Sequence, residues 1–134
     1  MSKKVLFACV ANSCRSQMAE ALARFHGQGK IEAYSAGSNP SGQVNPLAIE
    51  VMEERGLDIS HHRSKGFNEL PADKFDIVVL MGCGEQCPFV PTRKRIEWEI
   101  LDPEGKPLPF FRKLQDEIES KVISLLQSIS NNNL

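Results

Sequence analysis

An α/β fold, a parallel sheet with helices on both faces, is what this 134-residue sequence predicts, and three features carry that reading. Apolar strand-like runs alternate with segments of helical periodicity along the chain, the order that yields a parallel sheet wrapped by helices. The run DIVVLM (76–81) is apolar almost throughout, as a strand covered on both faces must be. The length suits one domain, and the sequence shows no internal repeat, long linker or second domain, so residues 1–134 are expected to fold as one unit.

In chain order, KVLFA (4–8) reads as the first buried strand. From Ser16 the period becomes helical: Met18, Leu22 and Phe25 lie three or four apart, and Gly27 and Gly29 end the segment. IEAYSAG (31–37) is a second strand closed by Gly37, and the stretch 38–46 begins as a loop. Pro46 to Arg55 forms a second helix, with Asn45 as its cap, Pro46 in its first turn and Gly56 as its stop. The polar, broken stretch 57–75 has room for a short helix. DIVVLM is placed centrally in the sheet, GCGEQCPFVP (82–91) is a loop, and RIEWEI (95–100) alternates like a strand with one exposed face. DPEGKPLP (102–109) is a further loop. The last helix repeats Phe111, Leu114, Ile118, Val122, Leu125 and Ile129 at spacings of three and four, before a frayed tail.

A formal net charge of −1 gives no global basic field for nucleic acid or an acidic membrane, so a bound anion must be held by local groups. No apolar run approaches a membrane span, and the run after the basic start is cut by Asn12, Ser13 and Arg15, unlike a signal peptide. A cytoplasmic protein is expected. There Cys9, Cys14, Cys83 and Cys87 stay reduced, which favours chemistry or metal binding over a disulfide framework.

In an open parallel sheet, ligands bind at the carboxyl ends of the strands. The loops after Cys9, Met81 and Leu101 all lie there. Cys9 and Arg15 bracket the first of them, between a strand and a helix. In such a loop the N–H groups of Val10, Ala11, Asn12, Ser13, Cys14, Arg15 and Ser16 can converge on an anion, and the helix N-terminus adds positive potential. Arg15 offers a planar fork for two oxygens of a tetrahedral oxyanion. The same field favours the sulfur anion of Cys9, the form that acts as nucleophile. Ser16 can donate to that sulfur, and Asn12 can hold the loop through backbone bonds. A cysteine ending a strand is otherwise a small buried hydrophobe, and packing under the loop is the preferred reading of Cys14.

The run CVANSCRSQMAE (9–20) closely resembles the phosphate-binding loop of the low-molecular-weight protein tyrosine phosphatase family, and most of all its arsenate reductase branch. The resemblance extends over the chain, through SAG, NP, GLDISHHRSK, MGCGEQCP and LDPEGKP. It implies a four-stranded parallel sheet flanked by helices, with Cys9 as nucleophile, Arg15 as oxyanion clamp and Asp102 of the DP pair as general acid. On residues alone, Asp102-Pro103 would be an ordinary turn.

Phosphatase and reductase begin alike, with Cys9 attacking the oxyanion and Asp102 protonating the leaving group. A reductase then needs further thiols to carry a disulfide away, and MGCGEQCP supplies Cys83 and Cys87. Cys83, set between two glycines, is assigned as first resolver, and Cys87 completes the relay. The pair lies closer in sequence than in the thioredoxin-coupled members, so the order of the two and the reductant (thioredoxin or another dithiol or thiol) stay open. Just after the DP pair, tyrosine phosphatases of this family place aromatic residues, where this chain has Glu104, Gly105 and Lys106, which suits arsenate as substrate. A phosphate monoester hydrolase remains the alternative. A zinc site of Cys83, Cys87, His61 and His62 is disfavoured, because no second cysteine pair follows and adjacent histidines point apart; they read as surface residues. Some reductase members bind potassium beside the anion loop, with Asn12, Ser35 and Ser64 as possible counterparts. Neither metal nor cofactor is assigned, and a monomer is expected.

Overall fold

The computed structural model describes residues 2–72, 74–82 and 90–131. Four strands, β1 (Lys3–Cys9), β2 (Ile31–Gly37), β3 (Phe75–Leu80) and β4 (Thr92–Glu97), form one sheet in the order β2-β1-β3-β4. All three pairings are parallel, with Val5 beside both Ala33 and Ile77. The chain steps from β1 to one side and returns past it to β3. The loops leaving β1 and β3 therefore diverge at a switch point, where open α/β sheets bind ligands. Among the described residues three α-helices accompany the sheet: α1 (Arg15–His26), α2 (Pro46–Glu54) and α3 (Leu108–Ser130).

Alternation along the strands divides the core in two. Val5, Phe7, Ile77 and Val79 face α1, α2 and α3 and pack with Met18, Leu22, Met52, Phe111 and Ile118. Leu6, Ala8, Val78 and Leu80 face the other way, toward Phe75 and Val90, with Phe67, Leu70 and Ala72 packed against them. Helices thus flank both faces, unequally: all three α-helices join the first core, whereas among the described residues the second is covered by the single 3-10 turn Phe67–Glu69 and its neighbours. That turn is the short helix expected within 57–75. It is tied by Gly66 N–H donating to Glu69 Oε2 at 2.8 Å.

Asn45 caps α2 as expected, its side chain accepting from Leu47 N–H. Two boundaries differ from the sequence reading by more than one residue. The fourth strand runs Thr92–Glu97 instead of 95–100, because β3 ends at Leu80 and leaves residues beyond Trp98 no backbone to pair with; Trp98 N–H makes a last bond to Leu80 O at 2.9 Å. β4 is a sheet edge, and its exposed Arg93, Lys94 and Arg95 guard it against pairing with other chains. α3 starts at Leu108, inside the expected loop, since Pro109 falls in the first turn where the missing N–H costs nothing. Phe25, counted in the apolar stripe of α1, is 53 % exposed and meets the His26 ring edge-on.

Candidate active site

β1 delivers Cys9 to the carboxyl edge of the sheet, and the loop after it doubles back to start α1 at Arg15. The reversal is made at Asn12, the only non-glycine among the described residues with a positive φ, at 52°. Asparagine tolerates that conformation better than most residues. Gly37, beside Cys9 in β2, lets the loop lie flat: a Cβ there would sit 2.4 Å from Val10 O. Ser38, Asn39, Ser41 and Asn45 N–H groups donate to the carbonyls of Cys9, Val10, Ala11 and Ser13, so the loop is anchored along its outer rim.

The loop's inner side is built around the Cys9 sulfur. Asn12 N–H donates to Sγ at 3.3 Å, and Ser16 Oγ lies 2.8 Å from it. Asn12 Nδ2 donates to Ser16 Oγ at 2.7 Å, which leaves the serine proton to point at the sulfur. The first N–H groups of α1 have no intrahelical partner, and no side chain caps them at Cys14. They are available to an anion, reinforced by the helix dipole.

Arg15 is almost fully buried. Its Nη1 donates to Ile100 O at 3.2 Å, and Nη2 stands 3.8 Å from Asp102 Oδ2. Asp102, its side chain 59 % exposed, is turned by a bond from Glu104 N–H to Oδ1. Gly82, at φ 99°, passes so close to Arg15 that a Cβ there would lie 2.4 Å from Nη1. Cys9, Arg15, Asp102 and Glu104 line one cleft of about 500 Å³, whose other walls include Val10, Ala11, Ser13, Cys14 and the loop from Asn39 to Pro46. Among the described residues, no aromatic side chain lines it. Asn45 Nδ2 donates to Glu104 Oε2 at 3.2 Å and joins the two rims.

Cys14 is buried, and burial pushes its thiol up to about 12, so it stays protonated and inert, as packing under the loop requires. The assignments to Cys83 and Cys87 lie outside the described residues. A second layer escapes the sequence reading. Gln17, fully buried, donates through Nε2 to Asn12 Oδ1 at 2.9 Å and to Arg63 O at 3.0 Å, and its Oε1 meets His62 Nδ1 at 3.0 Å. His62 is therefore half-buried and engaged, not a surface residue like His61, and burial lowers its pKa. Behind it, buried Glu20 accepts from Ser35 Oγ and pairs with Arg24 and Lys65. The one local sign of this layer is that α1 opens with Ser16, Gln17 and Glu20 on a helix whose first nine residues are all buried. The partners lie on distant segments.

Asn12, Ser35 and Ser64 do not fit a potassium ion in this chain. Asn12 Oδ1 already accepts from Gln17 Nε2 and from Lys65 N–H, which uses both its lone pairs. Lys65 Nζ, 3.3 Å from Ser35 Oγ, supplies positive charge there.

The model of the low molecular weight phosphotyrosine protein phosphatase family matches residues 4–134. A glutaredoxin arsenate reductase of Synechocystis is 42 % identical over 131 residues, covering 96 % of this chain and 99 % of the relative. A solved arsenate reductase in its phosphate-binding state superposes with a TM-score of 0.83 at 38 % identity, covering 95 % of this chain and 98 % of the other. A thioredoxin-dependent arsenate reductase of Corynebacterium glutamicum gives 0.82 at 34 % identity, covering 98 % of this chain and 63 % of that one.

Proposed function

Since the chain belongs to the low molecular weight phosphotyrosine protein phosphatase family, we propose that it is an arsenate reductase, with Cys9 as nucleophile, Arg15 as oxyanion clamp and Asp102 as acid. The observation that carries the reading is the convergence on one cleft of Cys9, Arg15 and Asp102, with Gly82, the residue before Cys83, packed against Arg15.

Arsenate sits on the loop N–H groups and the Arg15 fork. Cys9 Sγ attacks arsenic, and an oxygen departs as water after taking a proton from Asp102. Ser16 and Asn12 hold the sulfur anion before attack. A second thiol, Cys83, then attacks Sγ; the S–As bond breaks, its electron pair passes to arsenic, and arsenite leaves with a Cys9–Cys83 disulfide behind. Cys87 displaces Cys9 to leave a Cys83–Cys87 disulfide, which an external dithiol or thiol donor reduces. Cys14, held as a thiol by burial, takes no part. Among the described residues the cleft has no aromatic wall for a phosphotyrosine ring, which favours a small inorganic ion. Phosphate monoester hydrolysis is the second reading, because the seat recognises a tetrahedral oxyanion whatever its central atom.

The test is arsenite production from arsenate by the purified protein, with a thioredoxin system and separately with a glutathione–glutaredoxin system, beside p-nitrophenyl phosphate hydrolysis. Thiol-dependent arsenite formation is expected, and the donor that works names the partner. Cys83→Ser is expected to stop arsenite turnover and spare ester hydrolysis, whereas Cys14→Ala is expected to retain both. Ester hydrolysis without arsenite from either donor would make the protein a phosphatase.

A further inference from the structure

Gln17 is the least expected polar residue near the site. It is fully buried, in the first turn of α1, and touches neither the cleft nor Cys9. Both ends of its amide are nevertheless used. Nε2 faces only oxygens: Asn12 O at 3.3 Å, Asn12 Oδ1 at 2.9 Å and Arg63 O at 3.0 Å. That surrounding fixes the amide orientation, so Oε1 is the atom facing His62 Nδ1 and must accept a proton from it. Asn12 is fixed the same way, with Oδ1 toward the donors Gln17 Nε2 and Lys65 N and Nδ2 toward Ser16 Oγ.

Every donor in this series points one way. His62 Nδ1–H donates to Gln17, Gln17 Nε2–H to Asn12, Asn12 Nδ2–H to Ser16, and Ser16 Oγ–H to the Cys9 sulfur. Hydrogen bonds aligned in series polarise one another, and the end toward which the protons point is the end that stabilises negative charge. Gln17 is the central link. It also holds Asn12 in the left-handed conformation on which the loop's reversal depends.

We propose that Gln17 is a positioning residue for the nucleophile: through Asn12 and Ser16 it orients the loop and favours the sulfur anion of Cys9. The inference rests on the reading of Cys9 as nucleophile. Glu20, Arg24 and Lys65 lie behind the series, while Arg15, Asp102 and Glu104 bound the cleft on the sulfur's side. None of these is altered by a change at Gln17, so a difference between variant and parent profiles isolates its contribution.

The experiment is alkylation of Cys9 by iodoacetamide as a function of pH on the full chain, followed on the Cys9 peptide by mass spectrometry, for the parent and for Gln17→Met. Methionine keeps the length and removes every polar contact. Gln17 acts on the sulfur only through Asn12 and Ser16, and misorienting the Ser16 bond to the sulfur, a charge-assisted one, corresponds to about a ten-fold change. Cys9 of the variant is therefore expected to react about ten-fold more slowly near neutral pH and to converge with the parent at alkaline pH. On the isotopically labelled parent, the Gln17 side-chain amide signal is expected to shift over the pH range in which Cys9 becomes reactive, a readout that needs no variant. Superposable alkylation curves for folded Gln17→Met, or a Gln17 amide that ignores the ionisation of Cys9, would overturn the proposal. If the protein forms no arsenite while Cys9 reactivity still depends on Gln17, only the reductase reading falls. If arsenite forms and Cys9 ignores Gln17, only this inference does.

Discussion

Arg15 shows how much one side chain is asked to do. Its guanidinium is buried, bonded to Ile100 O, near Asp102 and pressed by Gly82, so its plane is set before any anion arrives. Arg15→Lys keeps the charge and loses the fork, and steady-state kinetics are expected to show a drop of about ten- to a hundred-fold in kcat/KM for arsenate. Unchanged kinetics would remove Arg15 from the site. Gly82→Ala reaches the same side chain from outside: its Cβ would meet Nη1 and require a left-handed backbone. It is expected to raise KM in that assay while leaving Arg15 itself in place. At this scale the sequence displays what is local. Cys9, Asn12, Arg15 and Ser16 fall within one strand–loop–helix turn, and their spacing announces an anion seat. Gln17 and His62 stand 45 residues apart, as distant in sequence as they are close in space, and nothing in either residue's neighbourhood marks the bond.

Among the elements, α3 holds the largest share of the helical side of the core. Phe111, Ile118 and Val122 have no exposure and pack under the sheet face that carries Val5 and Phe7. Its outer surface is tied to α2 by paired bonds from Arg112 to Glu54 and by Arg55 to Asp116 and Glu119. These ties are exposed, and water and salt weaken them. Packing therefore decides the stability of α3. Ile118→Ala is expected to cost about 2–5 kcal/mol in urea unfolding, and Arg112→Ala far less; equal losses would show that the ion pairs carry the helix. The same contrast explains which elements could be read from sequence. Buried elements announce themselves by period: β1, β3 and the stripe of α3 match their expected positions within a few residues. β4 is an edge, with only Thr92 and Ile96 partly covered, and its span is set by where β3 ends, which its own sequence does not contain.

Across the whole molecule, the second layer binds the catalytic edge of the sheet to the segment that crosses back toward β3, and its charges set how the fold responds to pH. Burial lowers the His62 pKa; the Glu20 carboxylate opposes that shift, while His61, Arg24 and Lys65 reinforce it. A histidine whose folded-state pKa lies below that of the unfolded chain binds protons more readily when unfolded. Its contribution to stability is thus intact above the ordinary histidine pKa of about 6.5 and is lost as pH falls through and below it. The carboxylates add a second limb of the same sign at more acid pH. Burial opposes the shift at Glu119, but bonds from His26 and Arg55 hold it below the ordinary range; Arg112 does the same for Glu54, and Gly66 N–H with Arg63 for Glu69. All three must be protonated as the fold is acidified. The thermal midpoint is therefore expected to rise from pH 5 to pH 7, above the carboxylate limb. His62→Asn, whose amide nitrogen can stand where Nδ1 does and donate to Gln17, is expected to flatten that rise while preserving the acid limb. A parallel curve, offset but not flattened, would show that His62 matters only as a packed ring, and that the response near neutrality arises elsewhere in the fold.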